Sequence, residues 1–324
     1  MAKAKVLITR PVFPPVVDYL KQYFEVDMAT GEKKLPAAEL LEKARQADAV
    51  FIIGDRLDEA FFAGVGSRCK IIANFGVGYN TVDVAAATRH GIYVTNTPDV
   101  VTDDTADLAM GLLIATARRI AECDRFVRDG RWPKTSINIL SGRSVHGKTV
   151  GIIGGGRIGM AFAKRALGFN MKILYTANSP KPDFEAATGG KFVDKDTLLR
   201  EADFVSLHVP LQASTRHLIG EQELALMKPD SIIVNTARGP VIDEAALVSA
   251  LKAGKIAGAG LDVFEKEPNL AEGLAELPNV VLTPHIGTQI DETRIRMGLM
   301  CAENIVAALQ GKVPPNCINP EAVS

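Results

Sequence analysis

Cysteine and long apolar runs are scarce in this sequence, and each scarcity excludes a class of protein. The 324 residues include four cysteines with no C-x-x-C pair, which excludes a disulfide framework and favours incidental thiols. The most apolar run, LAMGLLIATA, has about half the length needed to cross a bilayer. Since neither a membrane span nor a signal peptide is visible, we predict no membrane partner and a cytoplasmic location.

An excess of charge of one sign is missing as well. The 37 Lys and Arg residues balance 38 Asp and Glu residues, so the net charge of −1 gives no reason to expect nucleic acid as a partner. No cluster of Cys and His has the spacing of metal ligands, so we predict no metal. Apolar residues are abundant, at 47% of the chain, and 324 residues are enough for two domains with separate cores.

The chain is organised around the stretch VGIIGGGRIG at residues 150–159. Gly154, Gly156 and Gly159 have the G-x-G-x-x-G spacing, which in a dinucleotide site gives a tight turn, backbone access to the pyrophosphate and close packing of helix on strand. The apolar run before the glycines predicts a strand, the residues after them predict a helix, and MKILYTA predicts the next strand. We therefore expect a dinucleotide cofactor at the start of that helix.

Short apolar runs alternate with helical stretches on both sides of this turn, so the fold class is α/β with two doubly wound parallel sheets. Beyond the turn, we expect a helix between each strand and the next. The longest helix of the chain is expected from Thr102 to just before Gly130, buried in its apolar first half and exposed in its arginine-rich second half. A last helix after Gly287 has no sheet partner of its own and is expected to pack on the first domain.

Three ionisable residues follow the carboxyl ends of predicted strands: Arg238 after SIIVNTA, Glu267 after GLDVF, and His285 after VVLTP. Because parallel strands end at one edge of a sheet, we expect these residues to converge near the glycine turn. Hydride chemistry on a 2-hydroxy acid needs a cation that holds the carboxylate and a group that exchanges a proton near neutral pH. Arg238 and His285 meet these needs, and a carboxylate beside His285 favours its charged form.

Two further placements stay open at the level of the sequence. The turn FGVGYNTVD at residues 75–83 follows a strand, and it is either an anion site or a plain turn. His208 ends the strand FVSLHVP near the cofactor edge, where it contacts the nicotinamide or ribose or else belongs to the core. The remaining histidines, His90, His146 and His217, are expected to be structural or solvated.

Together, the motifs GGGRIG, NTARGPVIDEAAL, GAGLDVFEKEP and TPHIG resemble those of the D-isomer-specific 2-hydroxyacid dehydrogenases, and the resemblance runs through essentially the whole chain. Within that family it is closest to the glyoxylate and hydroxypyruvate reductases. It implies NAD(P)H-dependent reduction of a small 2-keto acid to the D-2-hydroxy acid, with Arg238 as carboxylate anchor and His285 and Glu267 as the acid/base pair. It also implies a Rossmann-type cofactor domain, residues 102–290, inserted into a discontinuous flavodoxin-like substrate domain, residues 1–101 and 291–324.

The resemblance further implies an active-site cleft between the domains and a homodimer built on the cofactor domain. The expected substrate contacts are Gly54, Val77, Gly78, Arg238 and His285. The expected cofactor contacts are Thr105, Gly154, Gly156, Arg157, Ile158, Gly159, Asn178, Ser179, Lys181, His208, Pro210, Thr236 and Asp262.

The choice of cofactor is predicted from a missing acid. NAD sites usually place an Asp or Glu about 20 residues beyond the glycines, where it accepts the ribose hydroxyls. Here the strand MKILY leads into Asn178 and Ser179, and the first acid is Asp183. Asn178, Ser179 and Lys181 can instead bind a 2′-phosphate. We predict NADPH as the preferred cofactor. NADH use is also possible, because NADPH-using relatives commonly carry an arginine in this turn and this chain has only a lysine.

Two other functions stay open. One is reduction of a larger 2-keto acid, such as 2-ketogluconate or a branched-chain acid; the small substrate is favoured because the first domain shows no obvious cation for a second acidic group. The other is a NAD(H)-sensing corepressor on the same fold, which the lack of long tails disfavours. Glu267 departs from the formate dehydrogenases, and Val77 stands where phosphite-oxidising relatives carry a lysine, so neither activity is expected.

Overall fold

The computed structural model describes residues 3–31, 33–135 and 139–323. The chain forms two compact units, one of Met1–Val101 with Gln289–Ser324 and one of Thr102–Thr288. Each unit is built on its own parallel sheet, which confirms the predicted α/β class with two parallel sheets.

The first unit contains a five-stranded parallel sheet. Its strands are β1 (Lys5–Ile8), β2 (Glu25–Met28), β3 (Ala49–Ile52), β4 (Ile71–Asn74) and β5 (Tyr93–Thr95). The helices between them are α1 (Pro14–Lys21), α2 (Ala37–Arg45), α3 (Glu59–Val65) and α4 (Val84–Arg89). The strand order β2-β1-β3-β4-β5 is that of flavodoxin-like sheets. Every residue of β3 and β4 is buried, because helices cover both faces of the sheet.

The second unit contains a seven-stranded parallel sheet. Its strands are β6 (Thr149–Ile153), β7 (Lys172–Thr176), β8 (Lys191–Phe192), β9 (Phe204–Leu207), β10 (Ile232–Asn235), β11 (Gly258–Leu261) and β12 (Val280–Leu282). Its helices are α5 (Thr102–Ala117), α6 (Ile120–Arg128), α7 (Arg157–Leu167), α8 (Pro182–Thr188), α9 (Lys195–Glu201), α10 (Glu221–Leu226) and α11 (Glu244–Lys252). The order β12-β11-β10-β9-β6-β7-β8 reverses between β9 and β6, which is the topological switch point of a Rossmann sheet.

The last helix, α12 (Asp291–Leu309), lies in the first unit. Its buried Cys301 and Ile305 pack in one apolar cluster with Val16 of α1 and with residues of β1, β3 and β4. A helix without a strand of its own therefore covers one face of the first sheet, as its missing sheet partner predicts.

The prediction of one long helix from Thr102 to just before Gly130 is wrong. Helix α5 ends at Ala117, Arg119 adopts a left-handed φ of 54°, and α6 begins at Ile120. The break has a local cause, since the backbone N–H of Arg143 donates to the Ala117 carbonyl at 2.7 Å and replaces the next helical bond. The predicted contrast is confirmed, because α5 is largely buried and α6 has no buried residue. Helix α12, at 19 residues, is longer than α5 at 16.

Two other details of the second unit differ from the prediction. The two-residue strand β8 was not predicted, since so short an edge strand carries no apolar period. The described chain between β11 and β12 contains no α-helix, although one was expected there. Prolines at positions 268 and 278 and Gly273, with a φ of 78°, disfavour a helix in this segment. The segment is instead an extended turn that carries Glu267.

Throughout the described part of the chain, no helix combines the length and the apolar character needed to span a membrane.

Candidate active site

The glycine turn joins β6 to α7 at the switch point of the second sheet. Gly154 has a φ of 112°, and a Cβ there would lie 2.5 Å from the His208 carbonyl oxygen. A Cβ at Gly159 would overlap the Gly154 carbonyl, so this glycine allows the helix to pack on the strand. Gly156 has open space around it. The three glycines thus supply the sharp turn, the open face and the close packing that a dinucleotide pyrophosphate requires.

The start of α7 fits the same group. Gly156 is its N-cap and offers no side-chain cap, so the first N–H groups of this 11-residue helix are not satisfied by a cap. Those donors and the positive end of the helix dipole favour an anion at this point. Arg157 and Ile158, both predicted as cofactor contacts, are the first residues of α7.

The predicted ribose-binding residues lie just beyond β7. Asn178, Ser179 and Lys181 are all exposed. The backbone N–H of Lys181 donates to the hydroxyl of Tyr175 at 2.6 Å, and this hydrogen bond fixes the turn against β7. The Lys181 side chain passes close to Gly155, the middle glycine of the turn. No acid stands between β7 and Asp183, so the turn presents an amide, a hydroxyl and an amine.

The other predicted cofactor contacts differ in whether they already form hydrogen bonds within the protein. Thr236, just beyond β10, has a buried hydroxyl with no hydrogen-bond partner among the described residues. Because a buried hydroxyl without a partner is costly, this atom supports a polar ligand at the site. The Thr105 hydroxyl donates to the Gly287 carbonyl at 3.3 Å, and the Pro210 carbonyl accepts from Thr215 at 2.6 Å.

His208 is held by the protein. Its Nε2 lies 2.9 Å from the Ser206 hydroxyl, and its ring centroid is 5.1 Å from that of Phe162. Burial lowers the pKa of His208 to about 3, so the imidazole is neutral at physiological pH. A neutral imidazole is a much weaker acid than an imidazolium, so His208 is poorly suited to supply the proton of the reaction.

The buried carboxylate of Asp262 braces the loop that carries His285. It accepts the Thr283 hydroxyl at 2.6 Å and the backbone N–H groups of Ile286 and Gly287 at 2.8 and 2.9 Å. Burial raises the pKa of Asp262 and these hydrogen bonds oppose the rise. Its expected contact with the cofactor stays a prediction, whereas its contacts with this loop are part of the fold.

His285 and Glu267 form a hydrogen-bonded pair. Nδ1 of His285 lies 2.9 Å from Oε2 of Glu267, and the other carboxylate oxygen accepts the backbone N–H of Phe264 at 3.0 Å. His285 has a left-handed φ of 54°, which a non-glycine residue adopts only when its surroundings enforce it. Its backbone N–H donates to the Asp262 carbonyl at 2.9 Å. In the described part of the chain, Nε2 of His285 has no hydrogen-bond partner.

Arg238 lies near this pair, beyond the neighbouring strand β10. Its Nη1 donates to the Ala237 carbonyl at 2.6 Å, and its own carbonyl accepts from Asn235 at 3.0 Å. Burial lowers the pKa of Arg238, and the charge of Glu267 opposes that shift. Burial would raise the pKa of Glu267, but the hydrogen bond and charge of His285, the Phe264 N–H and the charge of Arg238 lower it overall. The three predicted residues are therefore electrostatically connected, and Glu267 is ionised.

An apolar cleft of about 320 Å³ adjoins the pair. It is lined by Phe264, Glu267, Pro268, Leu270, Leu282, Thr283, Pro284 and His285.

The predicted substrate contacts of the first unit lie at the carboxyl edge of its sheet. The carbonyls of Val77 and Gly78 accept from the side-chain amides of Asn96 and Asn74 at 2.9 and 3.1 Å. In the described chain, the backbone N–H groups of Val77 and Gly78 donate to no protein group. Two adjacent donors without protein acceptors favour the anion site over the plain turn. The bracing by Asn74 and Asn96 was not predicted, because asparagine after a strand is a common turn residue.

The sequence showed no obvious cation in the first unit for a second acidic group, but the structure places two arginines near the predicted substrate contacts. Arg10, just beyond β1, donates through Nη2 to the Ile53 carbonyl, and that nitrogen would lie 3.5 Å from a Cβ at Gly54. Arg294, near the start of α12, lies over the Phe75 ring at 5.2 Å from its centroid. Both arginines are far in sequence from the predicted substrate loop. Only the tertiary structure brings them to the same edge of the sheet as that loop.

No group of three or more His, Cys, Asp and Glu side chains among the described residues has the arrangement of a metal site.

Residues 110–287 match the family model described as "D-isomer specific 2-hydroxyacid dehydrogenase, NAD binding domain". The chain is 48% identical to the glyoxylate reductase of Thermococcus litoralis, over 99% of this chain and 98% of that protein. It is 48% identical to the glyoxylate reductase of Pyrococcus horikoshii, over 99% of this chain and 97% of that protein.

Two solved structures share this fold. The TT0316 protein from Thermus thermophilus aligns with a TM-score of 0.91 at 43% identity, over 97% of this chain and 99% of the other. An NADPH-dependent glyoxylate/hydroxypyruvate reductase from Sinorhizobium meliloti, in complex with NADP and malonate, aligns with a TM-score of 0.89 at 34% identity. That alignment covers 99% of this chain and 98% of the other.

Proposed function

Because the chain belongs to the D-isomer-specific 2-hydroxyacid dehydrogenases, which are oxidoreductases, we propose that it reduces glyoxylate or hydroxypyruvate to the D-2-hydroxy acid with NAD(P)H. One observation carries the proposal. The hydrogen-bonded pair of His285 and Glu267 lies beside Arg238, at the sheet edge that also carries the glycine turn. The similarity to the two glyoxylate reductases above supports the same class of substrate.

The residues present fit a nicotinamide dinucleotide. The turn at Gly154, Gly156 and Gly159 and the start of α7 would hold the pyrophosphate, and the unpartnered hydroxyl of Thr236 would take a polar group further along the edge. When bound, the reduced nicotinamide supplies the hydride that is added to the carbonyl carbon of the substrate.

Arg238 is proposed to anchor the substrate carboxylate. A guanidinium can donate two parallel hydrogen bonds to a carboxylate, which fixes both the position and the orientation of the 2-keto group. In the first unit, the N–H groups of Val77 and Gly78, which donate to no group of the described protein, are proposed as substrate contacts that bind a carboxylate. Oriented in this way, the substrate presents its carbonyl oxygen to a proton donor.

His285 is proposed to donate the proton that converts the carbonyl oxygen to the alcohol. Glu267 binds Nδ1, so the ring orientation is fixed and Nε2 is the nitrogen left for the substrate. Since Glu267 is ionised, its negative charge stabilises the imidazolium before the proton is transferred. The same pair would accept the proton in the reverse reaction.

NADPH is proposed as the preferred cofactor, with NADH also used. The exposed Asn178, Ser179 and Lys181 offer hydrogen bonds and a positive charge to a 2′-phosphate, and no carboxylate stands among them to repel it. The S. meliloti reductase, which uses NADPH, supports this choice.

A homodimer through the second unit is also proposed. Helix α6 exposes Ile120 and Val127 at 50% and 51% of their surfaces, next to a row of arginines. Apolar residues interspersed with arginine are typical of subunit interfaces. Light scattering after size exclusion tests the assembly, and a monomer at micromolar concentration would contradict it.

A panel of 2-keto acids assayed with NADPH and NADH tests the proposed reaction. We expect the highest kcat/KM for glyoxylate or hydroxypyruvate. A much higher kcat/KM for 2-ketogluconate or a branched-chain acid would replace the proposal with the larger substrate. Absence of turnover with every acid, together with tight binding of the cofactor, would favour the corepressor instead.

A further inference from the structure

Glu244 is a buried acid with no part in the chemistry proposed above. It is the first residue of α11, after the N-cap Asp243, whose side chain accepts from the Ala246 N–H at 3.0 Å. An acid in the first turn of a helix usually points to solvent, where it interacts with the helix dipole. Glu244 is only 4% exposed, so its carboxylate is directed into the protein.

The Glu244 carboxylate binds the backbone of the turn that carries Glu267. Its Oε1 accepts the N–H of Glu265 at 2.6 Å. One side chain therefore holds the extended turn between β11 and β12 at Glu265, two residues before Glu267.

The hydrogen bond between Glu244 and Glu265 lies close to the His285–Glu267 pair. Phe264, the neighbour of Glu265, donates its N–H to one oxygen of Glu267, and His285 binds the other. The backbone of Phe264 and Glu265 packs directly on Gly239, where a Cβ would overlap it. A shift of Glu265 would move the Phe264 donor, and with it the carboxylate of Glu267.

We propose that Glu244 is a positioning residue whose carboxylate fixes the backbone at Glu265 and so keeps Glu267 hydrogen-bonded to His285. The inference rests on the proposed function, because it assigns a cause to the geometry of the proposed pair. It differs from the family assignment of Arg238, Glu267 and His285, none of which explains why a buried acid lies under the turn.

The charges around Glu267 determine how the inference must be tested. Arg238 faces it from beyond β10, His285 from beyond β12, and Glu244 from α11. Glu265, which is paired with His217, lies on the same turn. Burial raises the pKa of Glu244, the hydrogen bond from the Glu265 backbone opposes the rise, and the charges of Glu265 and Glu267 add to it. Removing the Glu244 charge alone would change the electrostatics of Glu267, so the compared variants must both be uncharged.

Glu244→Gln and Glu244→Met form the matched pair. Both remove the charge and keep a similar volume, but only the glutamine retains an oxygen for the Glu265 N–H. Glu223→Met is the control for loss of a comparable bond elsewhere in the same unit. Glu223 lies on α10 and accepts the backbone N–H of Gly220 at 3.1 Å.

We expect Glu244→Gln to stay within about fivefold of the wild-type kcat, and Glu244→Met to lose about 10- to 100-fold, because a displacement of about 1 Å can cost 10²-fold. Cofactor affinity, measured by fluorescence titration, should be equal in both. Relative to Glu244→Gln, the methionine variant should show the acidic limb of its kcat–pH profile at higher pH, since Glu267 loses the Phe264 donor that lowers its pKa. Glu223→Met should leave the profile unchanged.

Equal kcat and equal acidic limbs in Glu244→Gln and Glu244→Met would overturn the inference. If the methionine variant does not fold, amide exchange at Glu265 in Glu244→Gln decides. Loss of the Glu244 charge can only lower the pKa of Glu267, so with protection retained the acidic limb must lie at or below the wild-type pH, and a limb shifted to higher pH overturns the inference. The pKa of Glu267 can also be read by carboxyl ¹³C NMR without turnover. That measurement separates the two hypotheses, because a wild-type protein inactive on every 2-keto acid would defeat the proposed function and leave this comparison intact.

Discussion

Two histidine–glutamate pairs lie in the second unit, and their glutamates, Glu265 and Glu267, belong to the same turn. His217 is hydrogen-bonded through Nε2 to Glu265, whereas His285 is hydrogen-bonded through Nδ1 to Glu267. Both histidines have a left-handed φ, 49° for His217 and 54° for His285. The pairs are thus alike in residue type and backbone strain, and they differ in which ring nitrogen is used.

Under the proposed function, that difference indicates which pair is suited to acid/base chemistry. Nε2 is the outermost nitrogen of the ring, and in His217 the glutamate occupies it, whereas in His285 it is left for a substrate. Among the described residues, the His285 pair lies near a partly buried arginine, Arg238, whose charge acts on its glutamate. A histidine beside a glutamate is therefore not by itself evidence of catalysis; the free nitrogen and the neighbouring cation are what distinguish this pair.

The largest effect is expected from replacing the two histidines in turn. His285→Ala should lower kcat by about 10²- to 10⁴-fold, because the proton donor is lost. His217→Ala should change kcat by no more than about fivefold, since an exposed ion pair contributes about 0–1 kcal/mol. The measurement is kcat with saturating 2-keto acid, with cofactor binding checked separately. Near-normal turnover in His285→Ala would remove its assigned role.

The next largest effect is expected from replacing the arginine beside each histidine–glutamate pair. Arg238→Lys keeps a positive charge but cannot form the planar fork, so kcat/KM for the 2-keto acid should fall by about 10²-fold. Arg216→Lys, next to the His217 pair and exposed, should leave kcat/KM unchanged. Cofactor affinity should be similar in both variants. An unchanged KM for the keto acid in Arg238→Lys would show that the carboxylate is held elsewhere.

A smaller effect is expected at the ribose turn, which neither pair contacts. Lys181→Ala should reduce the preference for NADPH over NADH by up to about tenfold, or about 1.4 kcal/mol, because the ion pair with the 2′-phosphate is lost. The pH profile of kcat should not move. The check is kcat/KM for both cofactors with one substrate. A tenfold or larger preference for NADH in the wild-type protein would instead show that backbone or water contacts recognise the ribose.

The smallest effect is a pH dependence of stability caused by Glu267. The pKa of Glu267 in the folded protein lies below its ordinary value of 4.5, so its contribution to stability is complete above that pH and is lost as the pH falls through the folded pKa. The difference in Tm between the wild type and Glu267→Gln should therefore narrow as the pH falls below about 4.5. Thermal unfolding across this range measures it, with Glu265→Gln as the comparison. A difference in Tm that stays constant with pH would contradict the assignment.

Patterns within short stretches of the sequence predicted most of the second unit. The apolar runs that became β6, β7 and β9 to β12 are continuous because both faces of the sheet are covered, and the glycine spacing fixed the turn between β6 and α7. The position of Arg238, Glu267 and His285 after three successive strands predicted one shared edge. The helix break at Arg119 escaped prediction because its cause is a hydrogen bond from Arg143, distant in sequence.

What the sequence by itself determined is therefore every strand except β8, the glycine turn and the residue types at the strand ends, because these follow from local periodicity and backbone conformation. Only the tertiary structure decided which glutamate of EKEP faces which histidine, and through which ring nitrogen. It also decided that Glu244 turns inward, which no pattern in the sequence indicates. The physical reason is that a side chain's partner is set by the packing of segments far apart in the chain, and hydrogen bonds across those segments leave no periodic signal in the sequence.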